Sequence, residues 1–143
     1  MKLQITLSVI ALLLAIAIRL PVVHAVDWNQ TTRFTFSLPV QIPGRVLPAG
    51  TYRFQLAQND SRHLVQIFRD DRTLVTTPYS VPRLRDERNA DAAITLADRG
   101  AAQPQAIVAW FFAGEKQGHE FLYPRQENQE LARATQTTFM SGK

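Results

Sequence analysis

The chain has 143 residues with no cysteine, sixteen Lys and Arg against twelve Asp and Glu, and a formal net charge of +4. The lack of cysteine excludes thiolate nucleophiles, disulfide staples, Cys-ligated zinc and Cys-ligated iron–sulfur clusters. A charge this small and this scattered lacks the dense basic stripe of a nucleic-acid binder.

The first segment reads as an export signal. Lys2 supplies a short positive start, and from Ile5 to Ile18 every residue but Thr6 and Ser8 is apolar. That is the length of a signal-peptide core and short of the ~20 apolar residues that span a bilayer. Arg19 ends the run and Pro21 breaks any continuing helix. Val23-His24-Ala25 then places cleavage after Ala25, so residues 1–25 are expected to leave as a signal peptide. The alternative is an uncleaved anchor, which would want a longer run and no charge at Arg19. Removing residues 1–25 leaves 118, enough for one domain that buries most of its unfolded surface. Lys2 and Arg19 leave too, so fourteen basic residues face twelve acidic ones, a net +2. No second long apolar run follows, which predicts a secreted or periplasmic protein with no membrane span after cleavage.

From residue 26 the hydrophobic pattern has period two. Phe34, Phe36 and Leu38 alternate with Arg33, Thr35 and Ser37, a half-buried strand that Pro39 interrupts. Val40 and Ile42 continue it to a turn at Pro43-Gly44. Pro48-Ala49-Gly50 is a second tight turn, feeding a strand with Tyr52, Phe54 and Leu56 on one face. His63 to Arg69 and Thr73 to Thr77 read as a hairpin around Asp70-Asp71-Arg72. Residues 78–91 hold Pro78, Pro82 and a crowd of charges with no apolar period, and read as a surface crossover loop with room for a short extended piece. Ala92 to Leu96 alternates again. Ile107 to Phe112 is the most apolar stretch after the signal and predicts a strand buried on both faces. His119 to Tyr123 is the last strand, closed by Pro124. Residues 126–143 are polar and read as a tail, flexible or with one or two helical turns.

Seven or eight short strands separated by turn signals predict an all-β fold: an antiparallel sandwich, Ig-like or prealbumin-like, over residues 26–125. A small closed barrel is the alternative.

Several pieces in order, Phe34-Thr35-Phe36-Ser37, Val40-Gln41-Ile42-Pro43-Gly44, Leu47-Pro48-Ala49-Gly50-Thr51-Tyr52, Trp110-Phe111-Phe112-Ala113-Gly114 and Gly118-His119-Glu120-Phe121-Leu122-Tyr123-Pro124, carry a resemblance. Together with Val65-Gln66-Ile67-Phe68 they resemble an uncharacterised family of small secreted bacterial proteins of the acidobacterial kind. The resemblance covers residues 27–125 and implies a fold, not an activity. Its residues are glycines, prolines and strand aromatics, and it carries no functional residue over.

Candidate chemistry is sparse. His63 and His119 lack a third metal ligand at a suitable spacing, and strand neighbours such as His119 and Glu120 point to opposite faces. Both histidines are expected to face solvent. Ser37, Ser61 or Ser80 could pair with a histidine, but no Gly-x-Ser-x-Gly elbow exists. Glu115 and Glu120 near the last turn are the candidate carboxylate pair for glycoside hydrolysis, and read as solvated charges. No phosphate-cradling glycine loop is present, and no catalytic, metal or cofactor residue is assigned. Two features remain. Arg83, Arg85 and Arg88 could hold an acidic polysaccharide, a lipid headgroup or a carboxylate-rich protein by bidentate contacts. The plainer alternative is a solvated loop balanced by Asp86, Glu87 and Asp91. Phe111 should face away from Trp110 and Phe112, which belong to the core, and so could lie at the surface. These residues predict a non-enzymatic binding or interaction module without a cofactor. A self-assembling envelope or matrix component and a hydrolase without a recognisable motif are the other classes.

Overall fold

A computed structural model describes residues 31–58 and 62–141. The signal peptide assigned to residues 1–25 and its cleavage after Ala25 lie outside these residues. The fold is an all-β sandwich of two sheets and is not a closed barrel.

The first sheet is antiparallel and has the order β1-β4-β5-β6. Its strands are β1 (Thr31–Phe36), β4 (Gly50–Leu56), β5 (Val65–Arg69) and β6 (Leu74–Thr76). The second contains β7 (Ser80–Leu84), β8 (Ala93–Ala97), β9 (Gln105–Phe111), β10 (Gln117–Phe121) and β11 (Gln136–Met140), in the order β11-β8-β9-β10-β7. A short hairpin of β2 (Val40–Ile42) and β3 (Arg45–Leu47) joins it, with β2 lying parallel to β9. Pro43-Gly44 makes the hairpin turn, Gly44 taking φ +73° as the third residue of a type II turn requires.

The core forms where the alternation of the two sheets meets. Phe34 and Phe36 of β1, Tyr52 and Phe54 of β4, and Val65 and Ile67 of β5 face Ile94, Trp110 and Phe121 of the second sheet. Trp110 is fully buried, and its indole Nε1 donates to Thr32 Oγ1 at 3.1 Å, which satisfies its one polar atom. The Leu-Pro-Ala-Gly-Thr-Tyr piece is a packing device. The buried Tyr52 hydroxyl donates back to the Pro48 carbonyl at 2.8 Å, and the ring packs over Gly50, whose φ of +153° few other residues adopt.

Three strands go beyond the sequence reading, and each lacks a full apolar alternation. β3 is three residues long, and only Leu47 of it is buried. β7 occupies part of the expected crossover loop. It is an edge strand whose alternate residues Val81 and Arg83 point outward.

The third is at the C-terminus, where the short helix weighed for the polar tail forms and a strand not expected from the sequence follows it. Residues Arg125–Arg133 form helix α1, and β11 then pairs antiparallel with β8. The domain therefore runs to residue 140 rather than ending at 125. One residue of each element supplies most of the apolar anchorage: Leu131 is buried in the core, and Phe139 packs at 5.9 Å and 6.4 Å from the rings of Phe36 and Phe34. A polar cluster holds the start of the helix. Arg99 donates to Gln41, Gln41 donates to Glu127, and Arg99 lies 3.5 Å from the Glu127 carboxylate. Beside it the buried Tyr123 hydroxyl donates to the Ile107 carbonyl at 2.7 Å, where β2 joins β9. Burial and the nearby Glu127 carboxylate push that phenol far above its ordinary range, so it stays a donor.

Candidate functional site

The register of the second sheet decides what its outer face carries. Met140, Ala93, Phe111, Gly118 and Arg83 lie opposite one another across β11, β8, β9, β10 and β7, so they share one face. Trp110 and His119 lie in the neighbouring row and point into the core. Phe111 therefore faces outward, as the alternation predicts.

It is nonetheless only 5% exposed. The ring lies across Gly118, where a Cβ would fall 2.4 Å from Phe111 Cδ1, so only glycine fits beneath it. The Arg85 guanidinium covers the ring, 5.1 Å from its centroid. Arg85 also donates through Nε to the Glu115 carbonyl at 2.8 Å and through Nη2 to the Phe112 carbonyl at 3.0 Å. Its Nη1 is buried without a hydrogen-bond partner, and burial lowers the pKa from its ordinary value. Arg85 is thus a clamp. It fastens the β9–β10 turn to the end of β7 and closes Phe111 off from solvent.

After Arg85 the chain crosses from β7 to β8, skipping β10 and β9, and Asn89 accepts a hydrogen bond from the Gly114 N–H at 2.7 Å. Between this crossover and the sheet lies a depression of about 470 Å³. Ala93, Thr95, Thr138 and Phe111 line it from the sheet, and Arg83, Arg85, Asp86, Glu87 and Asn89 from the crossover side.

The structure brings Arg83, Arg85 and Phe111 together at one place. Arg88 is exposed and does not line the depression. The arginines do not act as one cationic cluster. Arg83 is ion-paired with Glu120 on the neighbouring strand at 3.3 Å, and Arg85 is committed to backbone carbonyls. Asp86 and Glu87, read from sequence as balancing charges, make no ion pair among the described residues and remain free acceptors at the rim. Sequence reasoning missed Thr138 because β11 has no clear strand pattern. It missed the Gly118–Phe111 stack because nothing in the sequence pairs those two positions.

The histidines correct one expectation. His63 is exposed, but His119 is buried at 4% exposure. It sits near the Trp110 and Phe112 rings, with centroids 6.3 Å and 5.6 Å away. Its Nδ1 is 3.1 Å from Ser80 Oγ, and Ser80 Oγ is 3.3 Å from the His63 carbonyl. This is a serine–histidine pair, one of those weighed from sequence, but both side chains are shut in the core, and no carboxylate is joined to them among the described residues. A chain in which Nδ1–H donates to Oγ and Oγ–H donates to the carbonyl satisfies both buried groups. The pair ties β10 and β7 to the segment entering β5. Glu120, next in sequence, points the other way to Arg83, so the two residues do not converge. No cluster of three metal-ligating side chains occurs among the described residues. No helix among them is long and apolar enough to cross a membrane.

Comparisons with protein-family models, with curated proteins and with solved structures find no match to this chain.

Proposed function

We propose that this chain is an exported, non-enzymatic binding module that holds a hydroxyl-rich ligand, a segment of polysaccharide, in the depression beneath the β7–β8 crossover. The observation that carries the reading is the chemistry of its lining. The carboxylates of Asp86 and Glu87 stand free beside the Thr95 and Thr138 hydroxyls, while both arginines of the site are already engaged. Such a wall offers many acceptors and a few donors. That suits the paired donor and acceptor character of sugar hydroxyls better than a compact anion. The depression is also of the size that encloses one small ligand. Export is supported by the apolar run from Ile5 to Ile18 and the cleavage pattern at Ala25.

A glycan array probed with the wild-type protein tests this. Binding to neutral glycans is expected, weakened roughly tenfold or more in D86A/E87A, because hydrogen bonds to charged groups are the stronger ones. Absence of binding across the array, or binding that the double variant leaves unchanged, would reject the reading. Arg85→Ala is a poor probe, because it would release the clamp and uncover Phe111.

A further inference from the structure

We infer a second, independent ligand surface on the outer face of the first sheet, built around Arg33 and Arg53, that takes the carboxylates of an acidic polysaccharide. The register of β1 on β4 sets Arg33 directly opposite Arg53, and that of β4 on β5 sets Arg53 opposite Phe68. Cross-strand partners lie ~5 Å apart at Cβ, where two like charges repel. A sheet that was merely solvated would gain by placing an acid at one of the two positions. Only Arg33 has a carboxylate, Asp70 at 3.3 Å, in a pair that is more than half exposed and therefore weak.

Arg53 has none. Its guanidinium carbon lies 4.9 Å from the centroid of the Phe68 ring, and it makes no ion pair or hydrogen bond among the described residues. Its Nε is buried and without a partner. Stacking on Phe68 restrains the planar fork before any ligand arrives, which lowers the entropic cost of a bidentate contact. An anion set between the two guanidinium groups would relieve their repulsion and supply the hydrogen bonds that Arg53 lacks.

The surroundings point to a polymer with spaced carboxylates rather than to a membrane. Gln55 and Gln66 form the adjoining cross-strand pair, uncharged donors and acceptors suited to ring hydroxyls. Asp70 and Asp71 at the neighbouring turn would repel a continuous anionic bilayer but can sit between separated carboxylates. The surface lies on the opposite sheet from the depression, so neither site depends on the other.

The test uses polygalacturonate as the probe and protein expressed from the full-length sequence. The wild type should bind at low ionic strength and release as salt rises. Arg33→Gln and Arg53→Gln should each weaken binding several-fold and together roughly tenfold or more. Arg33 is exposed, so R33Q keeps the fold and keeps the test valid if R53Q does not. R88Q removes the same charge elsewhere and should bind like the wild type. The inference is overturned if the wild type does not bind polygalacturonate or if R33Q/R53Q binds as the wild type does. It is equally overturned if R88Q weakens binding as much, or if phosphatidylglycerol vesicles are bound in preference to the polymer.

Discussion

His119 shows how much one buried side chain can set. Its burial, and secondarily the charge of His63, hold its pKa below the ordinary 6.5. Well above pH 6.5 the imidazole is neutral in both the folded and the unfolded chain and contributes nothing to pH dependence. Below that value the unfolded chain takes up a proton that the folded one resists, so stability falls as pH falls toward the depressed folded value. Urea denaturation at pH 7.5 and pH 5 should therefore show a lower midpoint at the acidic pH. His119→Asn should reduce that difference, and an unchanged difference would assign the pH dependence to other groups. The Arg83–Arg88 cluster carries a different lesson at this scale. Three arginines close in sequence have three different fates: an ion pair, a backbone clamp and a solvated charge. Residue type and spacing give no hint of that division, because the partners of Arg83 and Arg85 come from β10 and from the β9–β10 turn.

At the scale of elements, the C-terminal segment is the main departure from the sequence reading. Gln136–Met140 has one large apolar residue pointing inward, Phe139, and no strand signal of its own. It becomes a strand because β8 has an open edge beside it and the core has room at Phe34 and Phe36. Helix α1 has a single buried residue, Leu131, and is likewise stabilised by docking rather than by intrinsic propensity. Deleting residues 135–143 should then do more than shorten a tail. It removes the ladder on β8, uncovers the Phe34 and Phe36 rings and takes one wall from the depression. A loss of about 2–4 kcal/mol is expected, comparable to truncating a large core side chain, with faster amide exchange along Ala93–Ala97. Equal stability of the truncated and full chains would show that β11 does not contribute.

At the scale of the whole molecule, the question is whether the sandwich stays single. The outer edge of β7 is the informative one. Arg85 N–H donates to the Lys116 carbonyl and Leu122 N–H to the Tyr79 carbonyl, both at 3.0 Å, so the odd-numbered residues of β7 bond to β10. The even-numbered ones point their backbone away, toward the free edge. Ser80 N–H is used by the His63 carbonyl, and Pro82 has no N–H to offer. Exposed Tyr79, Val81 and Leu84 would otherwise make this edge sticky. Pro82→Val should restore a donor and give concentration-dependent association by light scattering, where the wild type stays monomeric. A wild-type protein that already associates would favour the self-assembling reading instead.

The sequence by itself determines the all-β class, the inward set of Phe34, Phe36, Tyr52, Phe54 and Trp110, and the outward direction of Phe111. These follow from local alternation and turn chemistry, which need no knowledge of neighbours. Only the tertiary structure decides that Phe111 is covered and His119 buried, that the tail closes the sheet, and that Arg33 meets Arg53. Each of those depends on which strand lies beside which. Register and strand order are properties of residues far apart in the chain, and a single period-two pattern fits many of them equally well.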